Sequence, residues 1–426
     1  LQAYVQEVGD RLARKSHRNN LIFRFTVLDS REVNAFALPG GYIYITRGLM
    51  AYLKNEAELA AVLGHEIGHV TARHSVRQYS ATQLANIGAT LGSIFIPGMN
   101  TAAGGQLVQV FGTALLRGYG RDHELEADRL GAEYLATTGY DPQAMLHVIG
   151  VLKDQEVFET QRAKEEGREP RIYHGVFATH PANDQRLQEV VGHADLLKTH
   201  AEPYWGVETF MDHIDGVVFG DSPKEGITRG NNFYHEGLAF SFSFPKGWHM
   251  TNRPDRLIIS APNGDALLQL TAEDLNKRMT PRQFMIERLG LSNLSNDNAL
   301  NIHGNEAHTG TSAIDTSFGQ RLARLAVIYY NKQAYILAGI TRDPKAIARY
   351  DGAFLATIKS FHALTPNEQI LAKPLRLKSV KAGLTSFAEL ARSSPLEKYA
   401  EEQLRLLNGL YPRGEPAPDS LIKIVE

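Results

Sequence analysis

The segment "GHEIGH" carries the residues whose types and spacing most clearly suggest chemistry. His65 and His69 are four residues apart, and Glu66 directly follows the first histidine. On an α-helix with ~100° per residue the two imidazoles lie about 40° apart on one face and can bind the same ion. Glu66 is offset by about 100°, beside the ion, where a carboxylate can take a proton from an attacking water. The segment therefore predicts a metal site with its own general base.

A second predicted helix, "DHELEADRLG", offers a third ligand. Histidine ligands in a chain without cysteine favour one zinc ion, which takes three protein ligands and an open position when it is catalytic. Glu124 and Asp128 share one helix face, whereas Glu126 points roughly 160–200° away from both. We expect Glu124 to bind the metal and Asp128 to accept a hydrogen bond from the other ring N–H of a ligand histidine. Spacing alone favours neither carboxylate face; geometry and chemistry together favour Glu124, and Glu126 stays the competing assignment.

Other residues near the motif have structural explanations. His74 lies about 180° round the expected 56–80 helix from the first histidine, so we expect it on the outer face, away from the ion. His123 also points off the predicted metal face. Gly64 and Gly68 cost about 1 kcal/mol each relative to Ala inside a helix, which predicts close approach of another backbone or a ligand.

Composition narrows the class of protein. The chain has 426 residues, 43% apolar and 22% charged, with a net charge of −2, which is typical of a globular protein with several domains and argues against a nucleic-acid partner. The absence of cysteine excludes disulfide frameworks, cysteine nucleophiles and thiolate metal sites. Because the chain begins at Leu1, we expect a processed or trimmed form.

We predict no transmembrane helix, because no run of about 18 uncharged apolar residues occurs. The nearest segment, 84–116, has no charge but is interrupted by polar residues and by a Pro-Gly pair at Pro97. We expect a pair of helices rich in small residues, packed on the core, with a lid or membrane-touching hairpin as the alternative.

Periodicity predicts an α+β multidomain protein. A mostly helical part with a small sheet includes the strands "LIFRFTVLD" and "GGYIYIT", a helix capped by Asn55 and another that ends at Gly139. Short alternating strands with two helices, near 280–290 and 344–358, then predict an antiparallel α+β domain. The last 50 or so residues read strand, helix, helix, strand. The expected divisions are a first domain at 1–204, a linker at 205–230, a second domain at 231–370 and a terminal module at 371–426.

Four segments together resemble a known family. "NAFALPGGYIYITRGLM", "ELAAVLGHEIGHVTARH", "HELEADRLG" and "FATHPANDQRLQEV" occur in the order and spacing of the zinc metallopeptidases that include HtpX, BepA and the CAAX prenyl proteases. The lack of predicted membrane spans makes the chain more similar to the soluble, periplasmic BepA-like branch. The resemblance covers residues 1–200 and implies a zincin-type domain, zinc ligands His65, His69 and Glu124, and Glu66 as general base.

The resemblance also implies a switch ligand and a substrate cleft. His180 of "THP" is expected to bind the zinc and block its open position; alternatively it positions the following helix. A charged stretch at 159–178 precedes His180, which favours a loop able to move. Arg186 is expected to face the cleft.

The strand "GGYIYIT" is expected at the edge of the sheet beside the zinc. An extended substrate would add to this edge by backbone hydrogen bonds. Asn34 and Ala35 are expected to line the cleft, with a turn as the alternative role.

The downstream parts carry weaker resemblances. The second domain is similar in its pattern to a PsbP-like α+β module, and the tail to a LysM module. In the tail "AGLTSF" replaces the usual Gly-Asp-Thr, so glycan binding and docking on the rest of the chain both stay open.

The function predicted on these grounds is a zinc-dependent endopeptidase that cleaves misfolded or envelope proteins, in the periplasm or cell envelope of a bacterium. One alternative is a chaperone-like envelope assembly factor with a latent protease core, and another is a cell-wall-binding protein with a structural metal. Expected partners are polypeptide substrates, then outer-membrane assembly machinery, a membrane surface and peptidoglycan.

Overall fold

The computed structural model describes residues 1–77, 119–167, 170, 202–253, 255–275, 278–291 and 293–426. The chain divides into two compact units. The first unit joins Leu1–Gly220 to Leu375–Glu426, and the second unit is Asp221–Pro374. The predictions for the 84–116 segment, for His180 and for Arg186 lie outside the described residues.

The first unit is mainly helical with two small sheets. Its elements up to residue 220 are α1 (Gln2–Ala13), β1 (Arg24–Leu28), β2 (Ala35–Leu38), β3 (Tyr42–Thr46), α2 (Arg47–Tyr52), α3 (Glu56–Thr71), α4 (Arg121–Thr138), α5 (Ala144–Glu165), α6 (Val207–Ile214) and β4 (Val218–Phe219). Thus α5 extends into the charged stretch 159–178, where a loop was expected. Residues 205–230, expected to be a linker, contain α6 and β4.

The sheet next to the metal-site helix has the order β1-β3-β2. β1 runs parallel to β3 and β2 runs antiparallel to it. The prediction that "GGYIYIT" forms the edge strand is therefore wrong, because its strand β3 has a neighbour on both sides. β2 and β1 are the edges, and β2 contacts α3.

α3 is the central helix of the first unit, and most of its residues are buried. The Asn55 side chain accepts a hydrogen bond from the N–H of Glu58, so the predicted cap is confirmed. The helix ends at Thr71 rather than near residue 80. Arg73 has φ 59°, a left-handed conformation unusual for a side-chain-bearing residue. A new helical turn begins there, in which Arg77 N–H donates to the Arg73 carbonyl.

α4 packs against α3 at close range, as the glycines of α3 led us to expect. A Cβ on Gly68 would lie 2.8 Å from the Ala127 carbonyl oxygen. A Cβ on Gly131, in α4, would lie 3.0 Å from the His65 backbone nitrogen. Since real Cβ contacts are longer, these positions require glycine for the two helices to cross so closely. α4 ends at Gly139, with φ 86°, as predicted.

The C-terminal part of the first unit has the predicted order of strand, helix, helix, strand. Its elements are β16 (Leu375–Lys381), α10 (Phe387–Ser393), α11 (Ala400–Leu407) and β17 (Leu421–Val425). β16 pairs with β17 and also with β4. One sheet of the first unit therefore combines strands that come before and after residues 221–374 in the sequence.

This C-terminal segment shares the hydrophobic core of the first unit. Leu377, Phe387, Leu407 and Ile422 are buried in the same cluster as the apolar residues of α1 and α3. Lys423 is fully buried, and its Nζ donates to two carbonyl oxygens at the end of α2, those of Ala51 and Leu53, both at 2.5 Å.

The second unit is an antiparallel α+β structure. Its elements are β5 (Ile227–Arg229), β6 (Asn232–His235), β7 (Phe240–Ser243), β8 (His249–Arg253), β9 (Arg256–Ser260), β10 (Ala266–Asp274), α7 (Pro281–Gln283, continued by a π-helical turn, Phe284–Arg288), β11 (Ser295–Ile302), β12 (Asn305–Thr316), β13 (Gly319–Tyr330), β14 (Gln333–Thr341), α8 (Ile347–Lys359), β15 (His362–Ala363) and α9 (Pro366–Leu371).

A seven-stranded sheet, β11-β12-β13-β14-β10-β9-β8, and a four-stranded sheet, β15-β7-β6-β5, organise this unit. α8 packs on the larger sheet, where the Phe354 ring lies over Gly339 and would be 2.6 Å from a Cβ there. The two helices predicted near 280–290 and 344–358 are both present. Across the described parts of the chain, no helix has the length and apolarity needed to span a bilayer.

Candidate metal centre

The structure brings together the two histidines of α3 and one carboxylate of α4. His65 Nε2 and His69 Nε2 are 3.0 Å apart. Glu124 Oε2 lies 3.6 Å from the first of these nitrogens, and Glu124 Oε1 lies 3.4 Å from the second. All three side chains are buried. They form the one group of potential metal ligands found among the described residues.

These separations fit one small cation. Ligands about 2.0–2.1 Å from a tetrahedral zinc ion are about 3.3 Å from one another, close to the three distances observed here. Two imidazoles and one carboxylate are also the kind of donor set found at catalytic zinc sites. The residues present therefore fit a zinc ion bound through three protein side chains.

The two histidines have different partners on their second ring nitrogen. His65 Nδ1 lies 2.7 Å from Asp128 Oδ1, and the aspartate is fully buried. With Nε2 facing the metal position, His65 Nδ1 carries the proton and donates to this carboxylate, which fixes the tautomer and ring orientation.

His69 meets a histidine instead of a carboxylate. Its Nδ1 lies 2.8 Å from Nδ1 of His74, which is completely buried. His74 Nε2 lies 3.1 Å from Glu126 Oε2, and Arg77 donates to the same oxygen at 2.9 Å. Burial lowers the pKa of His74 to about 4. The hydrogen bond from His74, followed by that from Arg77, lowers the pKa of Glu126 although burial acts against it.

The expectation that His74 lies on an outer face is therefore wrong. That expectation carried one helix through residue 80, whereas the left-handed Arg73 ends α3 and redirects the chain. His123 stacks on His74 with ring centroids 4.4 Å apart, so it lies behind this histidine rather than at the ligand group. Glu126, the competing ligand, is at the far end of the same chain of contacts.

Tyr119 closes one side of the site and was not identified from the sequence. Its ring stacks on His69 with centroids 4.1 Å apart, and its hydroxyl lies 2.6 Å from Ser75 Oγ. Burial raises the pKa of Tyr119, and the nearby carboxylates of Glu66 and Glu124 raise it further. The tyrosine is therefore a neutral hydroxyl beside two acidic groups.

Glu66 is buried, on the helix that carries both histidines. Asn34 and Ala35, the other predicted site residues that the structure describes, lie at the start of β2, the edge strand next to α3. No pattern in the sequence marks His74 or Tyr119 as part of the site, since their placement depends on where α3 stops.

An HExxH helix packed against a helix that supplies a glutamate is an arrangement typical of metallopeptidase domains. Residues 1–194 match the family model described as "Peptidase family M48". The two histidines, Glu66 and Glu124 all fall inside the matched region.

Similar proteins of known identity include bacterial proteases and mitochondrial metalloendopeptidases. The chain is 32% identical over 209 residues to the "Beta-barrel assembly-enhancing protease" of Yersinia pestis, covering 47% of this chain and 40% of that protein. Its counterpart in Escherichia coli K12 is 33% identical over 207 residues, covering 46% and 40%. "Mitochondrial metalloendopeptidase OMA1" of Arabidopsis thaliana is 35% identical over 133 residues, covering 31% and 26%. The chain thus spans about two-fifths of the length of the bacterial relatives.

Solved structures that match include the cyanobacterial PsbP of Synechocystis, with 15% identity and a TM-score of 0.26, covering 34% of this chain and 98% of that one. Another is the yeast Ran-binding protein Mog1p, with 10% identity and a TM-score of 0.25, covering 33% and 98%. The PsbP-like and LysM-like assignments stay predictions.

Proposed function

We propose that the protein is a zinc-dependent endopeptidase. The observation that carries this proposal is the buried group of His65 Nε2, His69 Nε2 and a Glu124 carboxylate, with Glu66 on the same helix. A site of this kind leaves one corner of the ion for water or substrate, which a purely structural zinc site does not.

The division of work among the side chains follows from their chemistry. Bound zinc supplies a Lewis acid that polarises the scissile carbonyl and makes water more acidic. Glu66 takes a proton from the attacking water and delivers it to the leaving amine. Asp128 holds His65 through a hydrogen bond so that Nε2 points at the ion.

The edge of β2 that pairs with no second described strand is the proposed docking site for an extended substrate. Thr46 N–H donates to the Asn34 carbonyl and the Asn34 N–H donates to Thr46 Oγ1, so the backbone groups of Asn34 and, two residues on, of Phe36 point toward β3. The N–H and C=O groups of Ala35 and Ala37 then point the other way, and no described strand pairs with them. A peptide added there would be bound through its backbone, largely independent of its side chains.

Asn34 supports the same placement. Its side-chain oxygen is buried and has no hydrogen-bond partner among the described residues. Such a group costs free energy unless a partner completes it, and we propose that the polypeptide substrate provides one. Arg186 is proposed to face the same cleft.

The substrate class and location are inferred from relatives. Because the bacterial relatives are called beta-barrel assembly-enhancing proteases, we propose misfolded or envelope polypeptides as substrates, in the bacterial periplasm or envelope. The same names favour one alternative, an assembly factor that binds unfolded envelope proteins and cleaves them only when activated.

We further propose that His180 regulates the site as a fourth ligand that blocks the open position. Casein cleavage by the wild type and by His180→Ala separates the two functions. Faster cleavage by the variant supports a gated protease, and inactivity of both zinc-loaded proteins supports the binding alternative.

The direct test of the proposal compares casein cleavage before and after zinc removal. We expect a chelator to abolish cleavage and stoichiometric zinc to restore it. His65→Ala should stay inactive at the same zinc concentration, whereas His362→Asn, which alters a His–Glu pair in the second unit, should behave as wild type. Cleavage that survives in His65→Ala would contradict the proposal.

A further inference from the structure

We infer that His74 is a positioning residue that fixes the ring and tautomer of His69, and that Glu126 in turn orients His74. The inference rests on the proposed zinc site and adds residues to it. Its basis is the set of contacts between the end of α3, the turn that follows and α4.

The direction of each hydrogen bond follows from the ring chemistry. His69 Nε2 faces the other two ligands, at 3.0 and 3.4 Å, so the neutral ring carries its proton on Nδ1. His69 Nδ1 then donates to His74 Nδ1 at 2.8 Å, which must accept. The remaining proton of His74 is on Nε2, which donates to Glu126 Oε2 at 3.1 Å.

The backbone is shaped to deliver this contact. A straight continuation of α3 would carry His74 about 140° away from His69 round the helix axis. The left-handed Arg73, at φ 59°, interrupts the helix and places His74 in a completely buried position. A non-glycine residue in this conformation costs roughly 1 kcal/mol, and such strain is concentrated at functional sites.

Two neighbouring contacts hold the same turn. Ser75 Oγ lies 2.6 Å from the hydroxyl of Tyr119, whose ring stacks on His69. Arg77 donates to Glu126 at 2.9 Å, so the end of the turn is tied to the same carboxylate that meets His74. The ligand ring is therefore held at its edge by His74 and on its face by Tyr119.

The two ligand histidines are thus supported differently. His65 donates to a buried carboxylate, Asp128, whereas His69 donates to a neutral imidazole that separates it from the partly exposed carboxylate of Glu126. Residues that orient a ligand histidine typically change metal affinity about 10–100-fold when they are replaced. We expect His74 to have an effect of this size.

The test measures zinc affinity of the full chain by competition with a chelator, with zinc alone as probe, for three variants at position 74. In His74→Asn the amide oxygen takes about the place of imidazole Nδ1 and still accepts from His69. His74→Gln instead places its amide near Nε2, and His74→Leu has no acceptor. We expect Gln and Leu to weaken zinc binding about 10–100-fold and Asn to stay within a few-fold of wild type.

A melting curve of each zinc-free variant serves as the structural readout. If His74 acts in packing alone, all three variants should have lower melting temperatures, and zinc affinity should not be higher in the Asn variant than in the Gln and Leu variants. If Asn and Gln weaken zinc binding equally, or if neither changes it, the inference is wrong. The Asn and Gln pair keeps the test valid if the Leu variant does not fold.

Glu126→Gln is the matched control for the second contact. Its amide oxygen still accepts from His74 Nε2, so zinc affinity should fall much less than in His74→Gln. Wild-type protein that binds no zinc would overturn both this inference and the proposed function. Tight wild-type binding with the predicted order of variants but no peptide cleavage would contradict the proposed function alone.

Discussion

The helix pair α3–α4 and the C-terminal segment 375–426 belong to the same unit, but their sequences disclose different things. The residue types and spacing of the helix pair predict a metal site with a general base before any fold is known. The C-terminal segment discloses its secondary structure and nothing about its location. Its membership of the first unit depends on apolar side chains in the shared core and on Lys423, whose Nζ donates to carbonyl groups 372 and 370 residues away.

Local spacing predicts a ligand group, whereas long-range packing decides which segments a domain contains. A metal site must take particular residue types at particular helical intervals. Any apolar surface of suitable shape can complete a hydrophobic core, so no short sequence pattern identifies the segments that share it.

The largest effect should come from removing residues 375–426. This deletion strips buried side chains such as Leu377, Phe387 and Ile422 from the core of the first unit. We expect loss of cooperative unfolding, measured by circular dichroism and size-exclusion chromatography, because the exposed core leaves too little buried apolar surface.

A matched control replaces Asp221–Pro374 by Asn-Gly, which together with Gly220 makes a three-residue hairpin loop. Phe219 pairs with Leu375 on neighbouring antiparallel strands, so a short hairpin connection can join them. This variant should keep a folded first unit that binds zinc. A stable first unit after deletion of 375–426 would show that the segment is an accessory module.

The next effect concerns chemistry without change of fold. Glu66→Gln should lower kcat for peptide cleavage about 10²–10⁴-fold, because an amide cannot take the proton from water. Zinc content and melting temperature should stay close to those of the wild type. Glu126→Gln, in which the altered carboxylate is outside the ligand group, should retain much more activity. If Glu66→Gln keeps full activity, Glu66 is not the general base.

Helix packing gives a smaller effect. In Gly68→Ala the new Cβ would lie 2.8 Å from the Ala127 carbonyl, so the helices must separate. We expect a loss of about 1–3 kcal/mol in the free energy of unfolding and weaker zinc binding. In Gly150→Ala, on α5, no atom lies within 4 Å of the new Cβ, and helix propensity should stabilise the protein by up to about 1 kcal/mol. If Gly68→Ala and Gly150→Ala change the free energy of unfolding in urea equally, the close crossing of α3 and α4 is contradicted.

The smallest effect is a pH dependence at Lys423. Burial lowers its pKa to about 7, whereas an unfolded lysine titrates near 10.4. Between these values the unfolded state binds a proton that the folded state does not, so Lys423 makes stability rise with pH from about 7 to about 10. Below about pH 7 both states are protonated and this contribution stays at its minimum.

Lys423→Met isolates the effect. The variant leaves the Ala51 and Leu53 carbonyls without their donor, which should cost about 1–3 kcal/mol each where the lysine is neutral. The advantage of wild type over variant in urea unfolding should grow between pH 7 and pH 10. A constant difference over that range would mean that Lys423 does not change its charge on folding within this window.

The sequence predicted the parts of the site that helix geometry determines. His65 and His69 share one face of α3, and Glu124 lies on α4, because each stands inside an uninterrupted helix. Gly68 indicated the helix crossing, because glycine is costly in a helix unless the space is needed. The order of elements in the C-terminal segment was also predicted, because it depends on local periodicity.

Three features depended on information that periodicity does not contain. The break at Arg73 has no glycine or proline to announce it, so His74 was placed on the wrong face. The sheet edge was misassigned because strand pairing is a long-range choice, here between β1 and β3. The membership of segment 375–426 depends on contacts with α2 and the core.

The most direct measurement is the anomalous scattering of zinc at its absorption edge, recorded from crystals of the purified full chain and combined with metal analysis. We expect one zinc ion per chain, bound by Nε2 of both α3 histidines and by the carboxylate of Glu124, with one corner taken by water, substrate or His180. A peak that lies elsewhere, or an ion held by Glu126 in place of Glu124, would contradict the account.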